Sequence, residues 1–176
     1  LSSVWSMSAA TSARVGQTAL VPAESVMGCV IRASVAHMTS QHDRAVAFAA
    51  LHQSGTFVVP NPWDAGTARI LTGYGFPALA TTSAGLAFAL GRRDGANLVS
   101  PAETLANASH IAAATHLPVS ADLENGGPSI GDIAMTIREA AASGLVGGSI
   151  EDATGLPDAP IFPLAEAVDR ITAAVH

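Results

Sequence analysis

The chain has 176 residues, a formal net charge of -6, a sequence pI near 5.3 and 49% hydrophobic content, with only 12% charged and 5% aromatic residues. That length holds about one domain with a sizeable core, and the apolar content excludes a disordered chain. An acidic balance without any basic run excludes a nucleic-acid or anionic-membrane surface, and no apolar stretch reaches the about 18 residues needed to span a bilayer. The single cysteine, Cys29, leaves no internal disulfide framework and suits a reducing, cytoplasmic setting. All eight basic residues are Arg, so Schiff-base chemistry and phosphate binding by a P-loop lysine are both excluded for this chain. The expected partner is a small molecule.

Residues 1–37 are rich in Ser and Ala, carry Arg14 and Arg32 against Glu24 alone, and show no sustained period. They read as an unassigned leader: either a transit peptide, which keeps organelle import open, or non-native sequence upstream of a start at Met38, which is the favoured reading. From Met38 the pattern turns regular. Ala45, Val46, Phe48, Ala49 and Leu51 fall at helical spacing, with Gly55 as the stop. Thr56 to Pro60 predicts a first buried strand, and Asp64 is a fitting N-cap for a helix running to about Tyr74. Phe76 to Ala80 predicts a second strand, and Thr81 to Gly95 a long functional loop punctuated by glycine. Ser100, Pro101 and Glu103 open a helix to about Thr115. Leu117 to Ala121 is the third strand, Ile130 to Ala142 a helix, Leu145 to Ile150 the fourth strand, and Phe162 to Val175 a final amphipathic helix.

A helix followed by four βα units implies a parallel sheet joined by right-handed crossovers. The carboxylates gather just past the strand ends: Asp64 after the first, Asp94 after the second, Asp122 and Glu124 after the third, Glu151 and Asp152 after the fourth. This is the rim on which α/β barrels build their sites. Asp122 and Glu124, spaced i and i+2, would share a face if the strand continued through them, and paired carboxylates suit a hard cation such as Mg²⁺. The competing reading makes Asp122 a turn cap and Glu124 a solvated side chain.

Three segments in this order resemble the isocitrate lyase / phosphoenolpyruvate mutase superfamily, in its phosphonomutase-like subgroup. They are Val59-Pro-Asn-Pro-Trp-Asp-Ala-Gly-Thr-Ala-Arg69; Gly75-Phe-Pro-Ala-Leu-Ala-Thr-Thr-Ser-Ala-Gly-Leu86 with Asp94; and Val119-Ser-Ala-Asp-Leu-Glu124 with Ser149-Ile-Glu-Asp152. The resemblance implies a (β/α)8 barrel of which residues 38–176 supply the N-terminal half, about four βα units. It implies a Mg²⁺-dependent lyase-like enzyme, with Mn²⁺ as the substitute ion, acting on a 2-oxo acid or related carboxylate through an enolate, in C–C or P–C bond chemistry. Under it, Asp122, Glu124 and Glu151 are the metal-site carboxylates. Asp94 and Glu151 are the catalytic acids, Asp94 supporting the hydrated ion. Ser83, Ala84, Gly85 and Leu86 form the turn whose amides receive a substrate carboxylate.

Two departures shape the expectation. Where the lyases carry a lid with Lys, Cys, Gly and His, this chain reads Ala153-Thr-Gly-Leu-Pro-Asp-Ala-Pro160, so an acid or base would come from Asp152, Asp158, a metal-bound water or the other half of the barrel. A decarboxylation-type reaction of an oxaloacetate-like acid is then expected over isocitrate or methylisocitrate cleavage. The chain is also short of the eight units and about 250 residues of a full barrel. The alternative to an enzyme is therefore a non-catalytic half barrel that self-associates through its sheet edges or serves a partner, and a homo-oligomer is expected. The six histidines lack zinc-ligand spacing and read as structural. Arg92 and Arg93 read as a solvated pair before a substrate contact, and Trp63 as packing.

Overall fold

The computed structural model describes Ser6–Met7 and residues 40–175, so Cys29, Trp5 and nearly all of the leader lie outside the described residues. In chain order the elements are β1 (Ser6–Met7), α1 (Gln41–Leu51), α2 (Ala65–Gly73), β2 (Leu79–Ala80), α3 (Ser83–Ala89), α4 (Pro101–Ala113), β3 (Val119–Asp122), α5 (Ile130–Ala142), β4 (Gly147–Ser149) and α6 (Leu164–Val175). The strands form one parallel sheet in the order β1-β4-β3-β2. Leu79 stands opposite Val119, and Ser120, Ala121 and Asp122 stand opposite Gly147, Gly148 and Ser149.

The helices begin where their capping chemistry dictates. Asp64 accepts from the Thr67 amide while the Thr67 hydroxyl receives the Asp64 N–H, and Ser100 with Glu103 repeats this exchange ahead of Pro101. At the start of α5 the Asp132 carboxylate accepts from both the Ser129 N–H and its hydroxyl, while Asp132 N donates to the Ser129 carbonyl. Between them the sheet and helices bury a core of small and branched residues. Leu79, Val119, Ala121 and Leu145 meet Ala108, Ile111, Ile133, Ile137 and Ala174 from α4, α5 and α6. On the opposite face, Phe48 of α1 packs with Ala78 and Val146 and with Phe57 and Val59. Gly147 leaves this possible: a Cβ there would stand 2.7 Å from Phe48 Cε1.

Three expectations change. Thr56 to Pro60 is not a strand; its one backbone link to the sheet is the Pro60 carbonyl accepting from Ala80 N at 3.1 Å. Pro60 has no N–H to donate, and Pro62 follows, so the ladder cannot extend. The described residues thus show three βα units after α1, with Ser6–Met7 as the fourth strand of the sheet. The stretch Thr81 to Gly95 is not all loop, because Thr82 caps Gly85 N and starts α3 through an Ala- and Leu-rich run. Trp63 packs only in part: its Cβ lies against Gly85, yet the residue is 47% exposed.

Candidate metal centre

The end of β3 sets the geometry. Asp122 N donates to the buried Thr81 hydroxyl at 3.0 Å. One Asp122 carboxylate oxygen accepts from Ser83 N at 2.9 Å and the other from Glu124 N at 3.1 Å. A carboxylate receiving two backbone amides is fixed in direction and joins the start of α3 to the turn after β3. The capping reading of Asp122 is therefore realised, at the end of β3.

Glu124 does not continue the strand. β3 ends at Asp122, and Glu124 has φ +49, the left-handed region that costs a residue with a Cβ about 1 kcal/mol or more. The period-2 argument for a shared strand face fails here, and a turn brings the two carboxylates together instead. The same turn is bonded to the next rim loop, since the Glu124 carbonyl accepts from Glu151 N at 2.7 Å.

Asp94, Glu124 and Glu151 line one small cavity of about 100 Å³, together with Ser83, Asn97 and Asn125. Among the described residues no Arg or His side chain lines it. Burial first, then the charges of Asp122, Asp94 and Glu151, push the Glu124 carboxyl above its ordinary range. Burial first, then Asp122, Asp94 and Asp152, push Glu151 the same way, although Glu151 is the more exposed of the two. Mutual repulsion among hard oxygen donors with no neighbouring counter-charge is the electrostatic condition that a divalent cation relieves.

Among the described residues no three His, Cys, Asp or Glu side chains are gathered closely enough to hold an ion directly. The donor set therefore fits a hydrated ion, held by one or two carboxylates and otherwise through water, better than a dry cage; Mg²⁺ is commonly held in this way.

Of the turn Ser83 to Leu86, three amides are committed inside the protein. Ser83 N goes to Asp122, Gly85 N to the Thr82 hydroxyl and Leu86 N to the Thr82 carbonyl. Gly85 is required by close approach: a Cβ there would meet Thr82 Cγ2 at 2.6 Å and Trp63 Cβ at 2.9 Å. Asp64 stays at the head of α2 as its cap, and Arg92 is taken by Glu103 in a two-pronged ion pair, both bonds 2.8 Å. His52 packs edge-on between Phe48 and Phe57, a structural role.

Beside the acidic cavity, and sharing Asn97, Glu124 and Asn125 with it, lies a larger groove of about 630 Å³. Leu105, Leu123, Leu156, Ile161 and Phe162 give it an apolar wall. The segment after β4 forms one side, folded back on itself by an antiparallel bridge between Ala153 and Ile161 and by Thr154 N donating to the Pro160 carbonyl.

Residues 48–176 match the family model of phosphoenolpyruvate phosphomutase. The chain belongs to that family. Among solved structures it is 55% identical to a candidate lyase/mutase from Burkholderia cenocepacia J2315, with a TM-score of 0.73, over 77% of this chain and 48% of the other. It is 29% identical to 2,3-dimethylmalate lyase, a member of the phosphoenolpyruvate mutase/isocitrate lyase superfamily, with a TM-score of 0.68, over 75% and 48% of the two chains. With an oxaloacetate acetylhydrolase solved in complex with oxalate the identity is 28% and the TM-score 0.67, over 74% and 47%. The chain thus spans about half the length of the solved relatives it matches. Comparison with curated proteins gives no match. The superfamily resemblance read from the three segments holds, and its members are lyase- and mutase-type enzymes. Among the described residues no helix is long and apolar enough to cross a membrane.

Proposed function

We propose that this chain carries the metal-binding half of a Mg²⁺-dependent, lyase-like enzyme of the phosphoenolpyruvate phosphomutase family, acting on a 2-oxo acid or related carboxylate. The observation behind this reading is the cavity past the strand ends, where Asp94, Glu124 and Glu151 meet beside an Asp122 held by two backbone amides. A divalent cation held there would supply Lewis-acid stabilisation of negative charge developing on the 2-oxo acid's oxygen. Asp122, Glu124 and Glu151 are the residues to hold it, in part through bound water, and Asp94 the one to orient that water. In the turn Ser83 to Leu86 the Ala84 N–H is the amide with no partner among the described residues, and it is the group to orient a substrate carboxylate. The adjoining groove has room for an apolar substituent on that substrate.

The segment Ala153–Pro160 brings no thiol, imidazole or amine, so proton transfer falls to Asp152, Asp158, a metal-bound water or a residue of the barrel half outside this chain, and an oxaloacetate-like acid is the preferred substrate over isocitrate. Isothermal titration with Mg²⁺ or Mn²⁺, with and without oxalate as a planar enolate mimic, tests the site. Binding that oxalate strengthens and Asp122→Ala removes is expected, and a folded protein that binds neither ion overturns the reading. Coupled assays on the chain and on any longer form of the protein then follow pyruvate and glyoxylate. Metal-dependent pyruvate formation lost in Glu124→Ala is expected, whereas efficient glyoxylate release from isocitrate would refute the substrate preference.

A second reading, a non-catalytic half barrel that self-associates, is favoured by the large apolar side chains left exposed at Val58, Ile70, Phe88, Val168 and Ile171. Light scattering separates the two, since a 17.7 kDa monomer speaks against self-association.

A further inference from the structure

One side chain sits deeper than any expectation for an amphipathic surface helix allows. Arg170 of α6 is 2% exposed. Its Nη2 donates to the carbonyl of Asn125 at 3.0 Å and also to the carbonyl of Gly127, and its guanidinium lies over the Phe162 ring at 4.1 Å from the centroid. Glu166, the nearest acid, is 3.6 Å from Nη1 and 41% exposed, so the charge is not neutralised by a buried partner. Nε is buried with no hydrogen-bond partner among the described residues. A guanidinium taken out of water without a buried carboxylate is costly, and here its strongest compensation is two backbone carbonyls and an aromatic face.

Both carbonyls belong to the turn that follows Glu124. Gly126 and Gly127, at φ +79 and +130, bend the chain so that the two oxygens flanking Gly126 meet the same nitrogen. Phe162 belongs to the segment after β4 and is tied back to it by its N–H donating to the Asp152 carbonyl at 2.8 Å. A single side chain therefore touches both rim loops: the one carrying Glu124, whose backbone is left-handed, and the one carrying Glu151. We propose that Arg170 is a positioning residue, a buried clamp that fixes the turn after β3 against the segment after β4 and so holds the Glu124 and Glu151 carboxylates at one cavity. This deepens the metal-site reading and rests on it.

The test compares Arg170→Lys, which keeps the charge but loses the fork and the flat face, with Ile137→Val, a cavity-forming change in the α5 core. Amide hydrogen exchange reads the clamp without any metal. Arg170→Lys should speed exchange at Gly126, Gly127 and Glu151 by about tenfold or more relative to the amides of β3 and α5, whereas Ile137→Val should leave that ratio unchanged. Titration of Mn²⁺ should show affinity roughly tenfold or more weaker in Arg170→Lys, the usual range for groups that orient metal ligands, and unchanged in Ile137→Val. Should Arg170→Lys not fold, Phe162→Leu removes the stacked face alone and is expected to give the same local exchange signature in weaker form. Exchange that accelerates uniformly, in the pattern of Ile137→Val, would overturn the clamp. A wild-type protein that binds no Mn²⁺ yet shows the local exchange effect would sink the metal reading while leaving the clamp standing.

Discussion

The two rim loops that meet at the acidic cavity are built to different standards. The turn after β3 is held by the Asp122 carboxylate on its own Glu124 amide, by the Glu151 amide on its carbonyl and by the buried Arg170 guanidinium beyond it. The segment after β4 presents an exposed Glu151 and, past half-buried Ala153 and Thr154, runs through exposed residues to Pro160, secured by bonds within itself until Phe162 stacks on Arg170. One side of the site is thus fixed by the fold and the other can adapt. If the proposed metal site is occupied, that division would let a cation keep its position while a ligand enters from the open side.

The largest break in this asymmetry should come from Asp122→Ala. It leaves the Ser83 and Glu124 amides without their acceptor and removes a carboxylate from the cavity. A destabilisation of about 2 kcal/mol is expected from the lost charge-assisted bonds, together with loss of Mg²⁺ binding, as read by denaturant unfolding and calorimetry. Glu151→Gln, on the adaptable side, should weaken metal binding while leaving the unfolding midpoint within about 0.5 kcal/mol of wild type. Equal stability losses in the two variants would erase the distinction between the loops.

A smaller effect follows from Glu124. Its folded carboxyl titrates above the ordinary range, so the fold favours its protonated form. Its contribution to stability is fully present below the unfolded carboxylate range and is lost as pH rises through the raised folded value. Metal-free protein should therefore gain from Glu124→Gln at neutral pH and not at pH 4. Thermal melts at the two pH values check the sign.

The smallest effect is the Arg92–Glu103 pair, which ties the loop carrying Asp94 to α4. Arg92 pulls the Glu103 carboxyl down to about 2. Its contribution is present above the unfolded carboxylate range and fades as pH falls toward that value. Because the pair faces solvent, Glu103→Gln should lower the melting temperature only slightly, and added salt should shrink the difference further.

Much of this arrangement could be read in the sequence, and the misses have physical causes. α5 was legible to the residue because Ser129, Asp132 and the spacing of Ile133 and Ile137 agree on one helix. The parallel sheet followed from the alternation of short apolar runs with helical segments, and the family from the resemblance of Val59–Arg69, Gly75–Leu86 with Asp94, and Val119–Glu124 with Ser149–Asp152. Thr56 to Pro60 misled because an apolar run looks like a strand, whereas pairing depends on N–H groups that Pro60 and Pro62 lack. α3 was hidden because Gly85 read as loop punctuation, although it is there to admit Trp63 and Thr82. Glu124 was placed at the rim by the wrong route, through strand alternation instead of a left-handed turn. Arg170 gave no signal at all, since helical spacing marks it as one polar residue among others and only the glycine turn across from it explains its burial.

The contact between Gly147 and Phe48 means that two distant positions share one allotment of volume. α1 fills, with an aromatic ring, the room that β4 leaves by having no side chain at Gly147, so neither position can be varied alone. Any side chain introduced at 147 must be matched by a smaller residue at 48, and the pair should behave as one unit in a substitution library: Gly147→Ala poorly tolerated alone and recovered when Phe48 is reduced to Leu.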